Sequence, residues 1–197
     1  MNHASRITVR DVETREYYKS HGVKTSIITS TDTALILNEY ALPKLDKTIL
    51  EDIKKKSKGR KIIFIHVFDK DYKNVKIENK VIPMLNKYIN EKQDKYFCII
   101  GTDYVCDSRL ENLSIYKKIN CDKMVYKYEN TLQFSALLQN VDSVITTKLH
   151  VGIVSSVFSK GVVSFPIHKY KTKRFYKQIN EDKRCIPLGS ANDQIVY

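Results

Sequence analysis

Short apolar runs alternate with amphipathic segments along most of the chain. Two of these runs, "KIIFIHVF" and "KYFCIIGT", are almost continuously apolar, which is typical of strands buried on both faces of a parallel sheet. Shorter runs rich in β-branched residues predict further strands at "RITVR", "VKTSIIT", "KMVYKY", "SVITT" and "GVVSFP". The pattern predicts repeated β-α units on a mostly parallel sheet of about six strands.

Apolar residues at helical spacing predict helices between these strands. The first helix is expected over "DVETREYYKSH", with Gly22 closing it, and Asn130 is expected to cap a later one. Pro83 indicates a kink or an early-turn position. The other helical segments are "DKTILEDIKKKSKG" (or a solvent-facing connector), "NVKIENKVIPMLNKYINEKQ", "SRLENLSIYKKI", "NTLQFSALLQNVD" and "KTKRFYKQI", after which the chain is expected to end irregularly.

No internal repeat or low-complexity linker interrupts this rhythm. We therefore expect one Rossmann-like α/β domain over residues 1–197. Right-handed crossovers bring the carboxyl ends of parallel strands to one edge of the sheet, where ligands of such folds bind. The segment from Thr146 to His150 is predicted to lie at that edge.

Charge raises the question of an anionic partner, because 34 Lys and Arg residues against 22 Asp and Glu give a net charge of +12. The lysines are scattered over predicted helices and loops, and no zinc-finger, basic-zipper or RNA-binding pattern is present, so the sequence does not favour nucleic acid as a partner. No apolar run approaches the roughly 20 residues that span a bilayer, and no secretory signal is seen. The expected location is the cytoplasm, or the inner face of the membrane.

The four cysteines form no C-x-x-C pair, and no histidine is spaced to complete a zinc site with them. Reduced structural thiols are the preferred interpretation, with Cys98 as a small core residue. No metal and no cofactor is expected.

The helix that follows "SVITT" carries the first candidate chemistry. Its amino terminus favours anions, and Thr147 is predicted to cap it, which places Lys148 and His150 in its first turn. An ammonium group there opposes the helix dipole, and it is explained if an anion bridges the lysine and the backbone N–H groups. The alternative is a structural histidine, because His150, Val154 and Val157 follow the spacing of a buried helix face.

Further basic residues are predicted at the same edge. Arg10 ends the first strand, with a surface arginine paired to Asp11 or Glu13 as the alternative. His66 ends the strand "KIIFIH", either at the site or as a satisfied polar residue. A third basic cluster follows the last strand and contains Lys171, Lys173 and Arg174.

Three blocks of the sequence resemble the polysaccharide pyruvyl transferase family. They are "ITVRDVETREYYKSHGVKTSIITSTDTAL", "LLQNVDSVITTKLHVGIVSSVFSKGVVSFP" and "YKTKRF", in the family's order and at plausible spacing. Between about residues 40 and 127 the likeness rests on the strand–helix rhythm alone. Lys148 departs from the family, which usually has arginine there, and lysine lacks the two-pronged geometry that suits a carboxylate or phosphate.

The resemblance implies a glycosyltransferase-B-like architecture that uses phosphoenolpyruvate as donor and a glycan or lipid-linked saccharide as acceptor. It implies Arg10, His150 and Lys171 as donor-site residues, and Asp32 as a motif residue of unclear role. We expect His150 to act as acid and base. Arg10, Lys148 and Lys171 are expected to hold the anionic groups.

This chain corresponds to the second half of the family pattern. The expectation is therefore that the first domain of the family is absent from this chain, and that this domain or a second copy of the chain is a partner. Two other function classes stay open on the sequence. One is a glycosyltransferase-B domain that uses a nucleotide sugar, and the other is a non-catalytic remnant that serves as a binding module.

Overall fold

The computed structural model describes residues 3–68, 77–92, 95–166 and 169–187. Its main sheet has five parallel strands in the order β5-β4-β3-β6-β7. These strands are β3 (Lys61–His66), β4 (Tyr96–Gly101), β5 (Lys123–Tyr126), β6 (Ser143–Thr146) and β7 (Gly161–Ser164). The predicted α/β class with a parallel sheet is confirmed.

The first two predicted strands do not join this sheet. β1 (Ile7–Val9) and β2 (Ile27–Thr29) pair with each other in a separate two-stranded parallel sheet. The main sheet therefore has five strands where about six were expected, and the first two predicted strands form a small sheet of their own. Hydrophobic patterning marks a segment as a strand, but pairing depends on contacts far apart in the sequence.

The helices follow the predicted order. α1 (Val12–Ser20) is capped by Asp11 and closed by Gly22 with a φ of +77°, a left-handed conformation that suits glycine. α5 (Thr131–Gln139) is capped by Asn130, as expected. The other α-helices are α2 (Lys47–Ser57), α3 (Ile82–Glu91), α4 (Ser114–Lys118), α6 (Leu149–Val157) and α7 (Lys169–Gln178).

Two predicted helices differ in detail. The segment "SRLENLSIYKKI" contains a 3₁₀ turn at Leu110–Asn112 and then the short α4. α3 is preceded by a π-helical turn at Ile77–Val81, and Pro83 lies in its first turn, where a missing N–H costs little. The start of that predicted helix and the end of the chain beyond residue 187 lie outside the described residues.

The core lies on both faces of the main sheet because side chains alternate along each strand. On β3, Ile63 and Ile65 pack with α3 and α4, and Phe64 packs on the other face with α2 and α5. A third cluster joins α6 and α7 to the segment after β2; its members include Ile153, Phe175, Tyr176, Leu149, Ala34 and Leu35. Among the described residues, no helix is both long enough and apolar enough to cross a membrane.

The strand order creates a switch point between β3 and β6. From β3 the chain adds β4 and β5 on one side, and then returns to place β6 and β7 on the other. In open α/β sheets, ligands bind outside the carboxyl ends of the strands at such a point. Here those ends are His66 and Thr146.

Candidate active site

The turn from β6 into α6 is built by the hydroxyl of Thr146. The Lys148 backbone N–H donates a hydrogen bond to Thr146 Oγ1 over 2.9 Å, and Lys148 is the extended N-cap residue of α6. The prediction that Thr147 caps this helix is wrong, because its hydroxyl is buried without a hydrogen-bond partner among the described residues. The first N–H groups of α6 are not bonded within the helix, so they can bind an anion.

One group of polar side chains joins β3, the loop after β4 and α6. His66 is fully buried, and its Nε2 lies 3.1 Å from Asp103 Oδ1. Lys148 Nζ lies 2.6 Å from Asp103 Oδ2, and 5.9 Å from the centre of the Tyr104 ring. Asp103 therefore links the ends of the two strands that flank the switch point.

Burial and hydrogen bonding set the charges in this group. Burial lowers the pKa of His66, which favours the neutral ring, and the contact with Asp103 opposes this shift only in part. Burial also works against ionisation of Asp103, but the hydrogen bonds from His66 and Lys148 outweigh it and lower the pKa of Asp103 to about 2. A neutral His66 then donates through Nε2 to an ionised Asp103, and its Nδ1 lacks a partner among the described residues.

A second group joins the segment after β1, the segment after β2, and α6. Arg10 Nη1 donates to Asp32 Oδ2 over 3.1 Å, and His150 Nε2 lies 3.7 Å from the same oxygen. The shorter contact is a hydrogen bond, whereas the longer one exceeds hydrogen-bond length. Asp32 is buried, and it also caps a 3₁₀ helix at Thr33–Glu39 by accepting from the Ala34 N–H.

His150 is exposed at this position, with 63% of its side chain accessible. The alternative that His150 continues the buried face of α6 is therefore wrong. Leu149 and Leu35 pack against the same buried cluster, which includes Ile153, and this holds the start of α6 against the 3₁₀ helix that Asp32 caps. This packing explains why Asp32 and His150, which are more than a hundred positions apart in the sequence, lie close together.

The third basic cluster lies on α7. Arg174 Nη1 lies 3.7 Å from Asp11 Oδ1, which places α7 beside the start of α1. Burial tends to raise the pKa of Asp11, but the hydrogen bonds from Thr14 and the charge of Arg174 lower it on balance. Lys171 is exposed one turn earlier on α7, and no contact joins it to either group among the described residues.

The structure thus brings five of the six predicted site residues into two groups, His66 with Lys148 and Arg10 with Asp32 and His150. Arg10 pairs with Asp32 rather than with Asp11 or Glu13. Asp103 was not among the predicted site residues, although the sequence holds a signal for it: it is a carboxylate two residues beyond the end of β4. In the described part of the chain, no cluster of three His, Cys, Asp or Glu side chains could hold a metal ion.

Comparison with known proteins adds two findings. A family model described as polysaccharide pyruvyl transferase matches residues 1–169 of this chain. No curated protein matches this chain.

Among solved structures, the chain resembles an α,α-trehalose-phosphate synthase (UDP-forming) from Burkholderia xenovorans in complex with glucose-6-phosphate. The TM-score is 0.54 at 9% identity, over 95% of this chain and 50% of that one. An α,α-trehalose 6-phosphate synthase from Burkholderia multivorans gives a TM-score of 0.49 at 8% identity, over 96% and 54% of the two chains. The chain spans about half the length of these enzymes. The first likeness shows a fold of the glycosyltransferase-B type.

Proposed function

The chain belongs to the polysaccharide pyruvyl transferase family, and from this membership we propose that it binds phosphoenolpyruvate and transfers the pyruvyl group to a sugar of a cell-surface polysaccharide. The observation that carries the proposal is that the first turn of α6 lies between two cationic groups: Lys148, paired with Asp103, and Arg10, which shares Asp32 with His150. Phosphoenolpyruvate has a carboxylate and a phosphate, so it needs several cationic or N–H donors in one place.

Lys148 and Arg10 each have more N–H donors than their contacts with Asp103 and Asp32 use, so donors remain for a ligand. An ammonium group has three N–H donors, and Lys148 directs one contact to Asp103. A guanidinium has five, and Arg10 uses one toward Asp32. We propose that the remaining donors, with the N–H groups at the start of α6, hold the two anionic groups of the donor. Lys171 is proposed to approach the same ligand from α7.

His150 is proposed to move the protons. In the first step a sugar hydroxyl adds across the C2=C3 double bond of phosphoenolpyruvate: its oxygen bonds to C2, its proton is lost to the base, and the acid delivers a proton to the methylene carbon C3, which becomes a methyl group. In the second step another hydroxyl of the same sugar attacks C2, phosphate leaves, and the hydroxyl proton is taken up by the base. The products are a ketal and inorganic phosphate. An exposed histidine that faces Asp32 suits both roles, because its two ring nitrogens can donate or accept a proton.

The acceptor side belongs to the proposal as well. We propose a glycan or a lipid-linked saccharide as acceptor, bound with the help of a further domain or a second copy of the chain. The cytoplasm stays the predicted location, with a peripheral position at the inner face of the membrane as the alternative.

Calorimetric titration of the purified chain with phosphoenolpyruvate tests the proposal. We expect saturable binding, weakened at least about tenfold by Lys148→Ala, since a charge-assisted contact contributes roughly 1.5–3 kcal/mol. Lys148→Arg should preserve binding, because guanidinium suits carboxylate and phosphate. The matched control is Lys55→Ala, which removes the same charge from an exposed position on α2.

A nucleotide sugar is the competing ligand, because the fold is shared with a UDP-forming synthase. The same titration with UDP-glucose and a GDP-sugar separates the two donor classes. Binding of either nucleotide sugar without binding of phosphoenolpyruvate would overturn the proposal, and so would failure of all three ligands to bind.

A further inference from the structure

Two cysteines that are far apart in the sequence are adjacent in the fold. Cys98 is fully buried on β4, and Cys121 lies half-buried just before β5. Their Sγ atoms are 3.2 Å apart, with the Cys121 thiol placed to donate to Cys98 or to accept from it. The Cys98 backbone N–H donates to the Asp122 carbonyl over 3.1 Å, so the strand pairing itself fixes this approach.

The surroundings of the two thiols differ. Cys121 lines a surface groove of about 710 Å³ together with Arg60, Lys117 and Lys123. Hydrogen bonding from Cys98 lowers the pKa of Cys121, and the nearby charges of Lys123 and Arg60 add to this effect. The same hydrogen bond and burial raise the pKa of Cys98.

The two cations are held in place by their own contacts. Lys123 Nζ donates to the Ile119 carbonyl over 2.6 Å, and Arg60 Nη2 lies 2.8 Å from an Asp122 carboxylate oxygen. A reactive cysteine typically lies in such a partly exposed, electropositive setting, next to a second thiol that can resolve it. Packing alone explains a buried Cys98, but it does not explain a second thiol beside it that opens to a basic groove.

We propose that Cys121 and Cys98 form a reactive dithiol site whose substrates are low-molecular-weight disulfides such as glutathione disulfide. The Cys121 thiolate attacks one sulfur of the disulfide, forms a mixed disulfide and releases the first thiolate. Cys98 then loses its proton and attacks Cys121 Sγ, which forms the Cys98–Cys121 bond and releases the second thiolate. The protein loses two electrons and two protons, and the disulfide becomes two thiols.

The positions of Cys98 and Cys121 allow a disulfide bond to form between them. A disulfide places its sulfurs about 2.05 Å apart, so the two atoms need to approach by roughly 1 Å. The bond would tie the sheet-edge strand β5 to its neighbour β4, at the end of the strands away from the candidate active site. Formation of this disulfide does not depend on the proposed pyruvyl transfer.

The test is mass spectrometry of the native chain after incubation with glutathione disulfide and alkylation of the remaining thiols. We expect the reactive thiols to fall from the four of the reduced chain to two, with a peptide pair joined through Cys98 and Cys121. The double variant Cys106→Ser/Cys185→Ser keeps only the proposed pair, so it should lose all its thiols to that one bond. A thiol reductant should reverse the change.

Cys98→Ala should trap the intermediate, with glutathione retained on Cys121, and Cys121→Ser should yield no internal disulfide. A second measurement on the native chain does not depend on folding of these variants: Cys121 should be alkylated by iodoacetamide faster than Cys106 at neutral pH. Stable glutathionylation of Cys121 in the native chain would overturn the proposal. Absence of any reaction at Cys121, or a disulfide to Cys106 or Cys185, would overturn it equally.

Discussion

Asp103 is ionised at neutral pH and links the two sides of the switch point. It accepts from the buried His66 and from Lys148, which reach it from strands on opposite sides of the switch. A carboxylate in this place orients Lys148, which would otherwise rotate freely on a long flexible stem. We interpret Asp103 as a positioning residue for Lys148, the cation proposed to bind the donor.

Replacement of Asp103 by asparagine should remove a pH-dependent part of the stability. The pKa of Asp103 is lowered from 3.8 to about 2 in the folded state, so its ionised form stabilises the protein above pH 3.8, and this contribution is lost as pH falls toward 2. We expect Asp103→Asn to lower the free energy of unfolding by about 2 kcal/mol at pH 7, measured by urea denaturation. The difference from wild type should shrink as the pH approaches 2.

The exposed Asp107 provides the matched control for that experiment. Asp107→Asn should change the free energy of unfolding by less than about 0.5 kcal/mol at either pH. Equal effects of the two substitutions at pH 7 would contradict the assignment of Asp103.

Substitution of His150 should lower turnover far more than it weakens the binding of phosphoenolpyruvate. It is largely exposed, so His150→Gln should leave folding intact and change the affinity for phosphoenolpyruvate less than about threefold, while turnover falls by at least about 100-fold. Turnover is measured as phosphate release from phosphoenolpyruvate with the polysaccharide fraction of the source cells as acceptor. His21→Gln, at the exposed end of α1, is the control. Turnover within threefold of wild type would rule out His150 as the acid and base.

At the scale of elements, α6 is placed by a close approach to β7 and α7. A Cβ at Gly152 would meet the hydroxyl of Tyr176, and it would lie 3.0 Å from Ser164 Oγ. These two hydroxyls are buried and hydrogen-bonded to each other over 2.8 Å, so neither can move away cheaply. Gly152 is therefore needed for its small size, and it sets how closely the helix carrying His150 lies to the sheet.

Gly152→Ala should destabilise the protein by about 1–3 kcal/mol, despite the better helix propensity of alanine, because the added methyl group overpacks the core. The measurement is the midpoint of thermal unfolding. Tyr176→Phe in the same chain removes the clashing hydroxyl, so the double variant should be more stable than the sum of the two single effects. Strict additivity in this double-mutant cycle would contradict the proposed clash.

At the scale of the whole molecule, one hydrophobic cluster connects the small sheet to the large one. Phe175 on α7 is buried with Leu35 from the segment after β2 and with Leu149 from α6. The Gln178 side chain donates to the Ser30 carbonyl over 2.9 Å, which adds a polar contact to the same junction. This packing places Arg10 and Asp32 close to His150.

Phe175→Ala should cost about 3–5 kcal/mol of unfolding free energy, since it leaves a cavity in this cluster. Hydrogen exchange of the backbone amides in β1 and β2 should accelerate more than in β3, because the junction weakens locally. Tyr170→Ala, on the same helix but 75% exposed, is the matched control and should cost less than about 0.5 kcal/mol. A uniform rise in exchange over all strands would contradict a local junction.

Much of this architecture could be predicted from the sequence because it depends on local rules. Short apolar runs rich in β-branched residues determined the strands, and apolar residues at helical spacing determined the helices. Capping residues such as Asp11 and Asn130 determined where helices begin. The shared direction of parallel strands determined which edge carries the polar residues. The division of the chain into domains stays a prediction.

Only the tertiary structure decided which residues meet. The sequence contains Asp103, but its role depends on a strand order that brings β3 beside both β4 and β6. It contains Asp32 and His150, but their contact depends on the packing of α6 against a 3₁₀ helix more than a hundred residues earlier. Local propensity acts over a few residues, whereas pairing and packing are selected by the burial of the whole core, and this is why the site's partners emerged only with the fold.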